Sequence, residues 1–184
     1  WVDSFSFRKS VPANELRVGY FPNITHAQAL IAQQLEFEGR PWFAPRLPAG
    51  TQLRWQLYNA GPSAMEGLTI DSIDLSYVGP SPAINAFLRR EGSIRLIAGA
   101  AEGGAALVGA QNFMGQKAKD FVGHRIATPQ LGNTQDVACR AWLAKNGVPV
   151  NRGDNSVQVV PTKNPDQLAL FKSGDLEAAW TVEP

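Results

Sequence analysis

Short apolar runs alternate with helix-period segments along the whole chain, and most runs are joined to the next helix by a turn rich in Gly, Pro, Ser, Thr and Asn. No feature constrains the fold more. Strands separated by helices cannot pair through a tight hairpin, and the crossover leaves them parallel. The runs at 16–20, 53–57, 73–78 and 94–98 read as strands in the first half. Those at 106–110, 125–127, 157–160 and 176–182 read as strands in the second. Helices are expected over 25–34, 63–68, 81–90, 133–146 and 165–172, with a short one closing at Phe121. The expectation is an α/β fold of mainly parallel sheets flanked by helices.

The segment 133–146 is the clearest helix. Val137, Ala138, Ala141 and Trp142 form an apolar stripe at helical spacing. Asp136 and Arg140 make an i,i+4 pair on the other face, and Asn146-Gly147 is a stop signal. Trp55, Trp142 and Trp180 lie inside predicted elements and read as core. A break falls at Ala101-Glu102-Gly103-Gly104-Ala105. Two adjacent glycines there fit a hinge, and they also fit an ordinary turn.

Composition removes several functions. Seventeen Lys and Arg against sixteen Asp and Glu leave a net charge of +1, so no electrostatic footprint for nucleic acid exists. Cys139 is the single cysteine, and His26 and His124 stand far apart. That rules against a disulfide framework, a CxxC pair, a HExxH site and, with them, a metal, a cofactor or a catalytic centre. No stretch approaches the ~20 apolar residues of a membrane span. Residues 1–10 lack the ordered regions of a signal peptide and read as a mature N-terminus or a cut edge.

Candidate chemistry sits where helices begin. Thr25 with Gln28, and Ser63 with Glu66, have the spacing of capping boxes. Ser81 reads as an N-cap with Pro82 behind it. Gly132-Asn133-Thr134 opens the long helix, and Asn164-Pro165 opens a later one. In a parallel sheet such turns share the carboxyl edge of the strands, where ligands bind. Each helix start offers unpaired N–H groups and partial positive charge, which together suit an anion. Gly61, Gly79 and Gly132 would let backbone approach a ligand. For each turn alone, plain capping remains the competing explanation. Tyr20, at the end of the first strand, could face the cleft or the core. His26, in the first helical turn, could be a solvated or capping group or a functional one and is counted with the candidate ligand contacts, and Glu183 could meet a ligand or serve as a hinge residue.

These motifs resemble a known family. Leu16-Arg17-Val18-Gly19-Tyr20-Phe21-Pro22 is similar to the opening strand of the aliphatic-sulfonate, taurine and nitrate binding proteins of bacterial ABC importers. The stretch from Ile73 through Gly79-Pro80-Ser81-Pro82-Ala83 resembles that family's third-strand turn, and Asn59-Ala60-Gly61-Pro62-Ser63 its second. The stretch from Arg125 to Asp136 looks like the start of its second lobe, and Trp180-Thr181-Val182-Glu183-Pro184 like the crossover back.

The resemblance implies a type II periplasmic binding protein with two α/β lobes. Residues 1–12 would be an extension, 13–101 the first lobe, 102–182 the second, and 183–184 the start of the return. The first lobe would be incomplete, because the family's chain continues past that crossover. The resemblance places ligand contacts near Asn23 and Thr25, at Gly61 and Ser63, at Gly79 and Ser81, and at Asn133, Thr134 and Glu183. It implies an extracytoplasmic or lipid-anchored solute carrier, monomeric at full length, with a membrane permease as partner. Where sulfonate binders tend to carry Gly-Ser, this chain has Gly132-Asn133-Thr134-Gln135, which leaves the solute open. Two other functions use the same architecture: an enzyme of the thiamine-pyrimidine synthase type and the effector-sensing domain of a transcription regulator. The first needs a histidine- and cysteine-rich site and the second a basic helix-turn-helix segment, and neither is seen.

Overall fold

The computed structural model describes residues 14–89 and 94–182. The first half runs β1 (Glu15–Tyr20), a 3-10 turn (Ile24–His26), α1 (Ala27–Phe37), β2 (Gln52–Leu57), α2 (Gly61–Thr69), β3 (Leu75–Ser76) and α3 (Pro80–Arg89). The second runs β4 (Ala105–Gly109), a 3-10 turn (Ala118–Phe121), β5 (Arg125–Thr128), α4 (Thr134–Lys145), β6 (Gln158–Pro161), α5 (Asn164–Ser173) and β7 (Ala178–Val182).

The strands form two sheets, ordered β2-β1-β3 and β4-β7-β5-β6. The same winding rule appears in both. In each β-α-β-α-β unit the first strand ends up in the middle: β1 between β2 and β3, β5 between β6 and β7. All these pairs are parallel. The order reverses at β1 and at β5, which makes the carboxyl end of each a switch point. Arg17 on β1 locks the β1–β3 register. Its Nη2 lies 2.7 Å from Asp74 Oδ1 and its Nε 3.0 Å from Oδ2, a two-pronged pair that holds the Asp74 carboxyl below its usual pKa.

Three sequence expectations fail here. β4 is antiparallel to β7, because no helical crossover joins these two distant strands and so nothing imposes a parallel run. The run 73–78 yields only two paired residues. The run 94–98 is not a strand: Leu96 and Ile97 are 91% and 74% exposed, and no described strand pairs with them.

Packing differs between the sheets. Beneath the second, Ala118, Phe121, Ile126, Cys139, Leu143, Val148, Val157, Val159 and Ala178 form one buried cluster. Trp142 and Trp180 close it edge to face, with centroids 5.7 Å apart. Leu176, Ala127 and Ala179 line a smaller cluster under α5. The first sheet's main cluster has only four buried residues, Phe21, Ala64, Met65 and Ala86. Trp55 packs against Tyr20 and Phe43 instead. Among the described residues no helix is long and apolar enough to cross a membrane.

Candidate ligand site between the two sheets

The long helix α4 starts at Thr134, with Asn133 as its N-cap. Asn133 Oδ1 accepts the Asp136 N–H at 2.8 Å, so the capping work is done by asparagine. Asp136 is 1% exposed, and its carboxylate is saturated. It accepts hydrogen bonds from the Gly132 N–H at 2.9 Å, the Thr128 hydroxyl at 3.1 Å and Arg140 Nε at 3.0 Å. The predicted i,i+4 pair therefore exists, but it belongs to the buried face. Val137, placed on the apolar stripe, is 44% exposed, and Cys139 and Leu143 take its place inside. The full set of donors makes a buried carboxylate tolerable where periodicity alone expects a polar face outside. Gly132 has φ +76, the left-handed turn that brings its N–H back onto Asp136.

With capping assigned to Asn133, the hydroxyl of Thr134 is left over. Thr134 Oγ1 is buried and has no hydrogen-bond partner among the described residues. It lies against Gly79, at the start of α3: a Cβ built on Gly79 would fall 2.0 Å from it. A Cβ on Gly61, at the start of α2, would fall 2.3 Å from Pro82 Cγ in α3. These two glycines admit protein neighbours, Pro82 and Thr134, in place of the ligand expected from the sequence. Through these contacts the first turns of α2, α3 and α4 meet, two from the first sheet and one from the second.

The expected capping boxes are corrected. α2 begins at Gly61 with Ala60 as N-cap, and the Ser63 hydroxyl donates back to the Ala60 carbonyl at 2.8 Å. Ser81 sits inside the first turn of α3, which begins at Pro80. Thr25 falls in the 3-10 turn, and its hydroxyl donates to Asn23 Oδ1 at 2.6 Å. Gln28 reaches across to the Ala100 carbonyl. The reason is common to all three: a proline or a tight 3-10 turn moves the helix start away from the hydroxyl. Thr25 and Asn23 lie beside the Gly103-Gly104 turn, where a Cβ on Gly104 would touch Thr25 Cγ2. Asn164 is the first residue of α5, with Lys163 as N-cap. Glu183 lies outside the described residues.

His26 and Tyr20 are occupied by packing. His26 is buried, its Nδ1 accepts the Phe21 N–H at 2.8 Å, and its ring stacks on Phe21 with centroids 4.2 Å apart. Burial lowers its pKa to about 4. Tyr20 rests edge-on against Trp55, 6.0 Å between centroids, on the side where Trp55 reaches Glu36 of α1. Cys139 is buried, and its thiol is pushed up to about 12, first by burial and then by Asp136. Among the described residues no group of His, Cys, Asp and Glu is placed to hold a metal ion.

Two bridging residues were not anticipated. Asn59 Nδ2 donates to the Pro129 carbonyl at 3.1 Å, and Gln130 Oε1 accepts the Ser63 N–H at 3.4 Å. Both join the α2 turn of the first sheet to the β5–α4 loop of the second. A polar side chain in a loop carries no periodic signal, so the sequence offered only proximity to the Gly132 turn.

The sequence profile of the NMT1-like family matches residues 9–184. A search among curated proteins finds no match. Among solved structures, the alkanesulfonate-binding protein SsuA from Xanthomonas axonopodis pv. citri, bound to MOPS, is similar with 25% identity and a TM-score of 0.63, over 95% of this chain and 56% of that one. The periplasmic aliphatic sulphonate binding protein SsuA from Escherichia coli is 24% identical with a TM-score of 0.57, over 94% and 55%. The ligand-binding component of an ABC-type import system from Staphylococcus aureus, with zinc bound, has a TM-score of 0.66 at 15% identity, over 93% and 55%. The chain thus spans about half the length of the solved structures it matches.

Proposed function

Because this chain belongs to the NMT1-like family, we propose that it is the solute-capturing part of an ABC importer, acting outside the cytoplasm and handing its cargo to a membrane permease. Residues 13–101 and 102–182 serve as two lobes, with Gly103 and Gly104, both at positive φ, as the hinge between them. The cargo is a small organic or inorganic oxyanion of the sulfonate, taurine, nitrate or bicarbonate kind. Binding proceeds by closure of the lobes without chemical turnover.

One observation carries this reading. A buried hydroxyl without a partner, Thr134 Oγ1, stands where helix starts from both sheets converge. An unpaired buried hydroxyl costs ~1–3 kcal/mol, and a solute oxygen accepting from it recovers that cost. The α2, α3 and α4 N-termini add N–H donors and favourable dipoles for an anion. Those turns bring Ser63, Ser81, Gly132 and Asn133 to the site, with Gly61 and Gly79 letting the three helix starts pack together and Asn23 and Thr25 beside the hinge. The sulfonate-binding neighbours fit the same cargo chemistry. The two side chains best suited to catalysis, His26 and Cys139, are both buried in packing. Burial holds the His26 imidazole neutral and raises the Cys139 thiol, so neither is charged near neutral pH.

Calorimetric titration of the full chain tests the reading, using MOPS, an aliphatic sulfonate, taurine, nitrate, bicarbonate and a small carboxylate. Binding of at least one is expected, with the solute recovered unchanged after prolonged incubation. Thr134→Ala should weaken that binding ~10-fold, the worth of one hydrogen bond to a charged oxygen. Its stability should change little, since Asn133 provides the cap. No heat with any of these solutes, or turnover proportional to protein, overturns the proposal.

A further inference from the structure

The N-terminus of α2 has fewer donors than an ordinary helix start. Pro62 has no N–H, so Gly61 and Ser63 supply the N–H groups of its first three positions. The Ser63 hydroxyl already donates to the Ala60 carbonyl, so Ser63 offers its backbone N–H as its remaining donor. This N–H is occupied by the side-chain oxygen of Gln130, from the loop between β5 and α4. The same loop is tied to the first sheet once more, through Asn59 and the Pro129 carbonyl. At its other end the Gln130 carbonyl accepts the Asn133 N–H at 3.1 Å, so the loop is braced against the α4 cap.

We propose that Gln130 is a specificity-determining latch: its amide oxygen occupies the α2 N-terminus between the two sheets until a solute oxygen displaces it. The inference rests on the solute-binding reading above. The chemistry favours displacement. The Gln130 bond is 3.4 Å long, against about 2.9–3.0 Å for an ordinary N–H···O bond. An anionic oxygen makes a shorter bond, about twice as strong as a neutral amide oxygen does, and also gains from the helix dipole. A neutral solute oxygen has no such advantage over Gln130. The latch therefore discriminates for charged oxygens, while holding the two sheets together before the solute arrives.

Substituting Gln130 in both directions tests the latch. Gln130→Ala removes the competitor and should tighten sulfonate binding ~3-fold, while lowering selectivity for the anion over a neutral amide or alcohol of the same shape. Gln130→Glu places a stronger competitor on the same N–H and should weaken anion binding ~10-fold. Small-angle scattering of the solute-free protein gives an independent readout: Gln130→Ala should be more expanded than wild type, and Gln130→Glu should not. Weaker binding in Gln130→Ala would make Gln130 a partner of the bound solute and overturn the latch. Unchanged affinity and unchanged scattering in both variants would make it a passive surface residue. If wild type binds none of the solutes, the functional reading fails and takes the specificity role with it, while the scattering comparison still decides whether Gln130 ties the two sheets together.

Discussion

The two halves are wound by one rule and packed by two. Helix α1 follows β1 as α4 follows β5, and each returns the chain to a strand beside the one it left. Yet α4 buries Cys139 and Leu143 completely, whereas α1 buries only Ala29 and Ala32 and leaves Ile31 and Phe37 exposed. The second sheet is capped by β4, pairing with β7, and has a nine-residue buried cluster beneath it. In the first, β3 pairs through two residues, and Leu96 and Ile97 lie open while only Ile94 of that run packs against the core. Topology therefore does not fix stability. The same strand order is a well-filled layer in one half and a thin one in the other, so the second half supplies the rigid platform.

This difference is most sharply tested by equivalent helix truncations. Leu143→Ala removes a fully buried side chain from the main cluster and should cost about 3–5 kcal/mol in urea denaturation. Ile31→Ala, at an exposed site on α1, should cost less than ~0.5 kcal/mol. Comparable costs for the two would mean that α1 packs as α4 does.

Acid should distinguish the halves next. The first half is pinned by a neutral buried histidine, and the cluster around Leu143 contains no titratable group except the Cys139 thiol. His26 has its pKa lowered from 6.5 to about 4 by burial. The folded state therefore binds fewer protons than the unfolded state between those values, and stability falls as pH drops through that window. The stabilisation is fully present above about pH 6.5 and is lost as pH falls towards about 4. Asp74, held low by Arg17, adds a loss in the same direction at lower pH. Hydrogen exchange at pH 7 and pH 4.5 should show β1 and α2 losing protection before β5 and α4. An imidazole proton of His26 that titrates near 6.5 by NMR would contradict this.

The parts of this contrast legible in the sequence are those set by local chemistry. β1, β2, β5 and the Asn133 start of α4 follow from apolar runs and a capping asparagine. The unequal packing does not, because 94–98 has the apolar content of a strand and pairs with no strand among the described residues, which is a tertiary fact. The buried Asp136 was missed for the converse reason: its donors Thr128, Gly132 and Arg140 surround it only after folding. The hydroxyl at Thr134 was singled out from its position at a helix start. Its lack of a partner depends on Asn133 taking the cap, which spacing alone leaves open between the two. Gln130 and Asn59 lie inside the resembling turns, but nothing in their spacing points to the bridges they make.

The smallest effect lies at the junction of the halves, where a single methyl group tests whether they close on each other. Gly79 has no positive φ, so alanine is conformationally acceptable there; the objection is purely steric. The added Cβ would sit 2.0 Å from Thr134 Oγ1 and 3.1 Å from its Cβ. In an open arrangement of the halves that clash vanishes, so Gly79→Ala should leave the melting midpoint nearly unchanged and lower solute affinity ~10-fold, about 1.4 kcal/mol. Thr134→Ala removes the offending oxygen but leaves its Cβ. Combined with Gly79→Ala it should cost less affinity than the two single losses added together, because both act on one contact. Strict additivity of the two in calorimetry would place Gly79 and Thr134 apart in the solute-bound state. It would also mean that the two sheets reach the solute by a closure other than the one this contact implies.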